Sequence, residues 1–152
     1  MTIDADIAET TLLLSHRFEA TPERVFDAWV TKAWGEWLGP KDFRCEVTEI
    51  DARPGGRYLV AMRRPDGSPV KVTGVYREVT RPQKLVLTWK GDYHPSETLI
   101  TVTFRADGSG TLMTLKQEGF TDAQHRNGHR QGWAGEGGCF EKLATLLARK
   151  AA

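Results

Sequence analysis

At 152 residues, with 21 Lys plus Arg against 20 Asp plus Glu, the chain suffices for one domain with its own core and carries no general pull toward nucleic acid or anionic membrane. Two cysteines, Cys45 and Cys139, lie far apart without paired spacing, which excludes a disulfide framework or zinc motif and fits reduced thiols in a cytoplasmic protein. The acidic start, Met1 to Thr11, lacks the pattern of a secretory signal, and no apolar stretch approaches membrane-spanning length, so residues 1–10 are expected to be a flexible tail before a single domain over 11–150.

Residues 11–19 alternate, with Leu12, Leu14, His16 and Phe18 on one face, the pattern of a first strand. Thr21-Pro22-Glu23 then supplies an N-cap, a first-turn proline and an acid, and Val25, Phe26 and Trp29 form the apolar side of the helix that follows. Thr31 to Leu38 reads as a second short helix carrying Trp34 and Trp37, stopped by Gly39-Pro40. From Phe43 to Ala52 the alternation places Phe43, Cys45, Val47 and Glu49 on one side and Arg44, Glu46, Thr48 and Ile50 on the other. Tyr58, Val60 and Met62 share a face of the next strand, Pro65-Asp66-Gly67-Ser68 closes a hairpin, and Val70, Val72, Gly74 and Tyr76 share a face of its partner. Leu85, Leu87 and Trp89 mark another strand, a polar loop spans Gly91 to Ser96, and Thr98, Ile100, Val102 and Phe104 mark the next. Asp107-Gly108-Ser109-Gly110 is a hairpin turn into a last strand, Thr111 to Glu118.

The final segment carries an apolar stripe of Trp133, Cys139, Phe140, Leu143, Leu146 and Leu147, with Glu141, Lys142, Thr145 and Arg149 opposite. Gly132, Gly135, Gly137 and Gly138 each weaken a helix by about 1 kcal/mol relative to alanine, which predicts a bend or break at Gly137-Gly138. Short turns between successive strands favour an antiparallel meander, giving an α+β architecture in which a curved sheet wraps a C-terminal helix.

Trp37-Leu38-Gly39-Pro40, Asp51 to Gly56, Gly74-Val75-Tyr76, Leu85 to Trp89, and Gly132-Trp133 with Phe140-Glu141-Lys142-Leu143 resemble the activator of heat-shock-protein-90 ATPase homologue family, within the START-like, Bet v 1-like (SRPBCC) superfamily. The resemblance implies a helix-grip fold: a strongly curved antiparallel sheet of about seven strands on a long C-terminal helix, two short helices between strands 1 and 2, and a deep, mostly apolar cavity. It leaves the chemistry open, because the superfamily holds lipid carriers, hormone receptors, polyketide cyclases and cochaperones. In chains resembling this one a leucine follows the Gly-Trp about one helical turn later; here Ala134 to Gly138 intervene, an insertion expected to lengthen the helix and change the cavity mouth. The eukaryotic cochaperone has a separate chaperone-docking domain, and this chain begins almost at strand one, so a chaperone partner is not the expectation.

His125 and His129 have the i, i+4 spacing of a metal pair but lack a third ligand and a zincin glutamate, and read better as hydrogen-bonding side chains. His129, four residues before Trp133, is placed to point into a cavity mouth; His16 reads as a buried, satisfied core histidine, and His94 as a residue of a polar loop. The glycines from 132 to 138 lack the strand and Lys-Ser pair of a phosphate loop, no nucleophile elbow is present, and Glu49, Asp51, Glu97 and Glu118 read as solvated acids. No metal and no cofactor are therefore expected. What remains is an aromatic and sulfur-rich set, Trp37, Phe43, Tyr58, Met62, Val72, Tyr76, Trp89, Met113, His129, Trp133 and Phe140, expected to line a cavity for an apolar or amphipathic small molecule. The alternatives are a cyclase or hydrolase moving protons through a cavity histidine or acid, and a chaperone-interacting stress-response module. Leu13, Val75 and Val86 on the outer face would favour a homodimer if they form one patch.

Overall fold

Wherever the sequence alternates, the chain pairs. A computed structural model, which describes residues 10–151, shows a seven-stranded antiparallel sheet of β1 (Thr11–Phe18), β2 (Arg44–Ile50), β3 (Arg57–Arg63), β4 (Pro69–Thr80), β5 (Lys84–Gly91), β6 (Thr98–Asp107) and β7 (Gly110–Glu118). The spatial order is β1-β7-β6-β5-β4-β3-β2, so the meander from β2 to β7 carries the chain back to β1, and β1 and β2 are the two edges. Most of the expected tail falls outside the described residues; the carbonyl of Thr10 already accepts from the amides of Gly119 and Phe120, each at 3.1 Å.

Between β1 and β2 lie α1 (Pro22–Val30) and a 3-10 helix (Lys32–Glu36). Thr21 caps α1 by accepting from the Arg24 amide at 3.3 Å, and Thr31 repeats the device for the 3-10 helix by accepting from Ala33. The C-terminal helix is two helices, α2 (Ala123–Ala134) and α3 (Cys139–Ala151). Asp122 caps α2. The break falls where the glycines predict it: Gly137 has φ +68°, and a Cβ on Gly138 would stand 2.6 Å from the Gly132 carbonyl oxygen. Trp133 and Phe140 nevertheless keep one side, their rings 6.1 Å apart across the break.

The middle of the concave face is packed solid. Trp29 of α1 is fully buried, with Trp37 at 4.9 Å, Trp133 at 5.6 Å and Trp34 at 6.2 Å between ring centroids, and its indole N–H points at the Met113 sulfur 3.4 Å away. Phe140, Leu143, Leu146 and Leu147 of α3 complete this layer. Lys142 is not on the solvent side of α3 as expected. It is half-buried, and Nζ donates to the carbonyls of Pro40 at 3.0 Å and Phe43 at 3.4 Å, tying α3 to the loop before β2.

Strict alternation fails at two bulges. Between Val47 and Glu49 the β2–β3 register shifts, which returns Ile50 to the inner side and leaves Glu49 outside, the reverse of the expectation for both. A second shift between Tyr76 and Glu78 does the same for Val79. On the outer face the register aligns Leu13 with Lys116, Lys116 with Thr101, and Thr101 with Val86, so two polar residues separate the apolar pair and no continuous patch joins them. His16 sits between Phe18 and Phe140, at 4.5 and 5.6 Å. It is not satisfied as expected: Nδ1 is buried without a hydrogen-bond partner among the described residues.

Candidate functional site

The tryptophans of α1 and the 3-10 helix fill the centre of the grip, which displaces the open space to one end. There the β3–β4 hairpin, the loop from Gly91 to Ser96, the loop from Leu38 to Phe43 and one side of α2 enclose a cavity of about 550 Å³. Its apolar wall is Leu38, Pro40, Phe43, Met62, Val70, Trp89 and Trp133; its polar rim is Arg64, Tyr93, His94, Asp122, Gln124, His125 and His129. The cavity therefore lies against α2, whereas α3 reaches it only through Cys139. That volume and that mixture are typical of small-molecule sites.

The two tryptophans of the wall are held by a chain of buried hydrogen bonds that runs across three strands. The Trp133 indole N–H donates to Gln117 Oε1 at 2.9 Å, Gln117 Nε2 donates to Thr98 Oγ1 at 2.8 Å, and the Thr98 hydroxyl donates to the Trp89 carbonyl at 3.3 Å. Gln117 and Thr98 are buried, so each link satisfies a polar group that would otherwise cost roughly 1–3 kcal/mol. The rings of Trp89 and Trp133 stand 5.8 Å apart at 58°.

A second chain faces the mouth. The Trp89 indole N–H donates to the Tyr93 hydroxyl at 2.9 Å, and that hydroxyl lies 2.8 Å from His129 Nε2. With its oxygen accepting from Trp89, we assign the hydroxyl hydrogen to Nε2, which places the imidazole proton on Nδ1. Burial, with smaller contributions from His125 and His94, brings His129 down to about 4, so the ring is neutral at neutral pH. Burial, then the charge of His94, also lowers His125. The rings of His94 and His125 stack face to face at 3.8 Å and 17°. Thr121 Oγ1 stands 3.4 Å from His94 Nε2 and 3.4 Å from His125 Nδ1. Among the described residues no three His, Cys, Asp or Glu side chains converge on a point that would hold a metal ion.

Cys139 is buried, and burial pushes its thiol up to about 12; the Gly39 amide donates to its sulfur at 3.2 Å. It pins the Leu38–Phe43 loop and presents no thiolate.

Of the residues expected at the cavity, Phe43, Met62, Trp89, His129 and Trp133 line it. Trp37, Tyr58, Val72, Tyr76, Met113 and Phe140 face the same interior but are core, not wall. Tyr58 shows why: its register partner Gly74 lets the ring lie across β4, where a Cβ would stand 2.4 Å from the ring, and the hydroxyl donates to the Thr88 carbonyl at 2.5 Å. The Trp37 N–H is likewise committed, to the Ala28 carbonyl at 3.0 Å. Several wall residues were missed. Arg64 follows Met62 by two, just past the end of β3, and Gln117, which holds Trp133 without itself lining the cavity, follows Leu115 by two in β7, so period two was the available signal for both. Tyr93 and His94 come from a loop, where no periodicity aims a side chain.

Two glycines on α2 also line the cavity, and they differ from those at the break. A Cβ on Gly128 would meet no atom within 4 Å, and one on Gly132 would touch only Pro40 Cγ at an ordinary 3.7 Å. Neither has a left-handed backbone. Alanine fits sterically at both and would favour the helix, so what these glycines contribute is open space.

A family model described as Activator of Hsp90 ATPase homolog 1-like protein matches residues 19–148. None of the curated proteins matches the chain. Among solved structures, a protein from Chromobacterium violaceum is 29% identical, with a TM-score of 0.82 over 91% of this chain and 96% of that one. The AHSA1 protein from Silicibacter pomeroyi is 25% identical, with a TM-score of 0.78 over 92% and 99%. An HSP90 activator from Plasmodium falciparum is 18% identical, with a TM-score of 0.66 over 91% and 96%, a likeness of fold.

Proposed function

Because the chain belongs to the Activator of Hsp90 ATPase homolog 1-like family and has its helix-grip fold, we propose that it binds an apolar or amphipathic small molecule, lipid-like or polycyclic aromatic, in the cavity between the sheet and α2, without covalent chemistry. The observation that carries this reading is the pair Gly128 and Gly132, two helix-weakening residues on the cavity side of α2 at positions with room for a side chain. Residues selected for packing alone would fill that space. Burial of the ligand's apolar surface on Phe43, Met62, Trp89 and Trp133 supplies the affinity at roughly 25 cal/mol per Å², and the hydroxyl and imidazoles at the rim orient it.

His129 favours holding a ligand over moving its protons. A general base works best with a pKa near the working pH, and at about 4 this imidazole is a neutral hydrogen-bond acceptor of low basicity. The chaperone-activating role printed for the Plasmodium protein is not carried over, since 18% identity supports the fold alone. Cys45 and Cys139 are both free thiols, which fits a cytoplasmic setting. No helix of the described residues is long and apolar enough to cross a membrane.

The test is Gly132→Leu, which pushes an isobutyl group into the cavity from a position with room for its Cβ. A melting temperature that rises with added lipids or polycyclic aromatics in the natural chain, and stays flat in the variant, is the expected result. Equal shifts in both proteins would put the ligand elsewhere and end this reading.

A further inference from the structure

Building on the small-molecule reading above, we propose that the cavity's ligand is an amphipathic carboxylate, its apolar body laid on Trp89 and Trp133 and its anionic head held by Arg64. Tyr58, Val60 and Met62 face inward along β3 and are buried, and Arg64, the first residue past the strand's end and two beyond Met62, lines the cavity after them. A guanidinium thus ends an otherwise apolar row, on the cavity wall beside Met62 and its register partner Val70. Its neighbour Arg63 points to the other side and pairs with Glu46 at 2.5 Å.

Arg64 donates hydrogen bonds only to neutral groups, Nη1 to Ser68 Oγ at 3.2 Å and to the Pro69 carbonyl at 3.5 Å; Asp66 feels its charge, but no carboxylate of the described residues lies within 4.0 Å of it. Asp66, in the same hairpin turn, is committed to Ser68, accepting from its amide at 2.9 Å and its hydroxyl at 2.7 Å. Asp122, the carboxylate on the cavity wall, accepts from the His125 amide at 2.8 Å as the cap of α2. Tyr93, Gln124 and the imidazoles of His94, His125 and His129 make up the rest of the rim. The wall therefore presents one guanidinium with unused donors, in the fork geometry that accepts a carboxylate bidentately, at the open end of an aromatic slot.

The experiment compares pyrenebutyrate with pyrenebutanol, which share ring and chain and differ in the head group, by fluorescence titration of the full chain at low salt. The expected result is about tenfold tighter binding of the carboxylate, an advantage lost in Arg64→Gln, partly kept in Arg64→Lys, and shrinking as salt is raised. Arg64 is exposed, so the variants should melt with the natural chain, and pyrenebutanol affinity should be unchanged. Equal affinities in the natural chain, or a carboxylate preference that survives Arg64→Gln, overturn the inference; if Gly132→Leu still abolishes both, the small-molecule reading stands without it. Binding of neither probe overturns the inference and counts against that reading as well.

Discussion

Replacing Gly128 and Gly132 by alanine separates a cavity kept open for use from one left by indifferent packing. Glycine in a helix interior is less stable than alanine by about 0.5–1 kcal/mol, so the two substitutions together should stabilise the protein by about 1–2 kcal/mol. Nothing in the surroundings opposes the gain: the new Cβ at 128 has no neighbour within 4 Å, and the one at 132 meets Pro40 Cγ at 3.7 Å. For a chain of this size each kcal/mol moves the melting temperature by roughly 2–4 °C, which predicts a rise of about 2–8 °C for the double variant. The same two methyl groups stand in the cavity, so pyrenebutyrate should bind more weakly to the more stable protein. Calorimetry of the singles and the double, paired with fluorescence titration, reads both effects. A melting temperature that falls in both single variants would refute the steric argument, and a rise with unchanged affinity would refute the link between these glycines and binding.

At the break between α2 and α3 the opposite holds: Gly138→Ala forces a Cβ to 2.6 Å from the Gly132 carbonyl oxygen, a backbone atom, and should cost about 2 kcal/mol or more in urea unfolding. Trp133→Phe leaves the buried Gln117 Oε1 without its donor at 2.9 Å, and a loss of about 1–3 kcal/mol by the same assay is expected. His129 titrates below its ordinary value, so the native state favours the neutral ring. Its contribution is complete above about pH 6.5 and is lost as pH falls toward 4, up to about 3 kcal/mol. Unfolding curves at several pH values should show this slope for the natural chain and a shallower one for His129→Gln; identical slopes would contradict the burial argument.

Period-two alternation and turn chemistry determined the strands, because a strand in a one-sided sheet must sort its side chains between core and water. The caps at Thr21 and Asp122 and the break at Gly137-Gly138 are likewise local, resting on backbone groups within a few residues. Alternation also marked Tyr58, Val72 and Tyr76 as interior, and they are. It did not say which part of the interior is empty. That depends on where Trp29, Trp34 and Trp37 enter the concave face from a segment distant in sequence, and on Gly74 letting Tyr58 lie flat. Bulges at Val47/Glu49 and Tyr76/Glu78 shifted single residues across the sheet for reasons that live in the pairing of two strands. Of the rim, spacing placed only His129 at a cavity mouth; Tyr93 and His94 come from a loop, His125 and His129 from a helix, and their meeting, which makes a hydrogen-bonded mouth around an apolar slot, belongs to the tertiary structure.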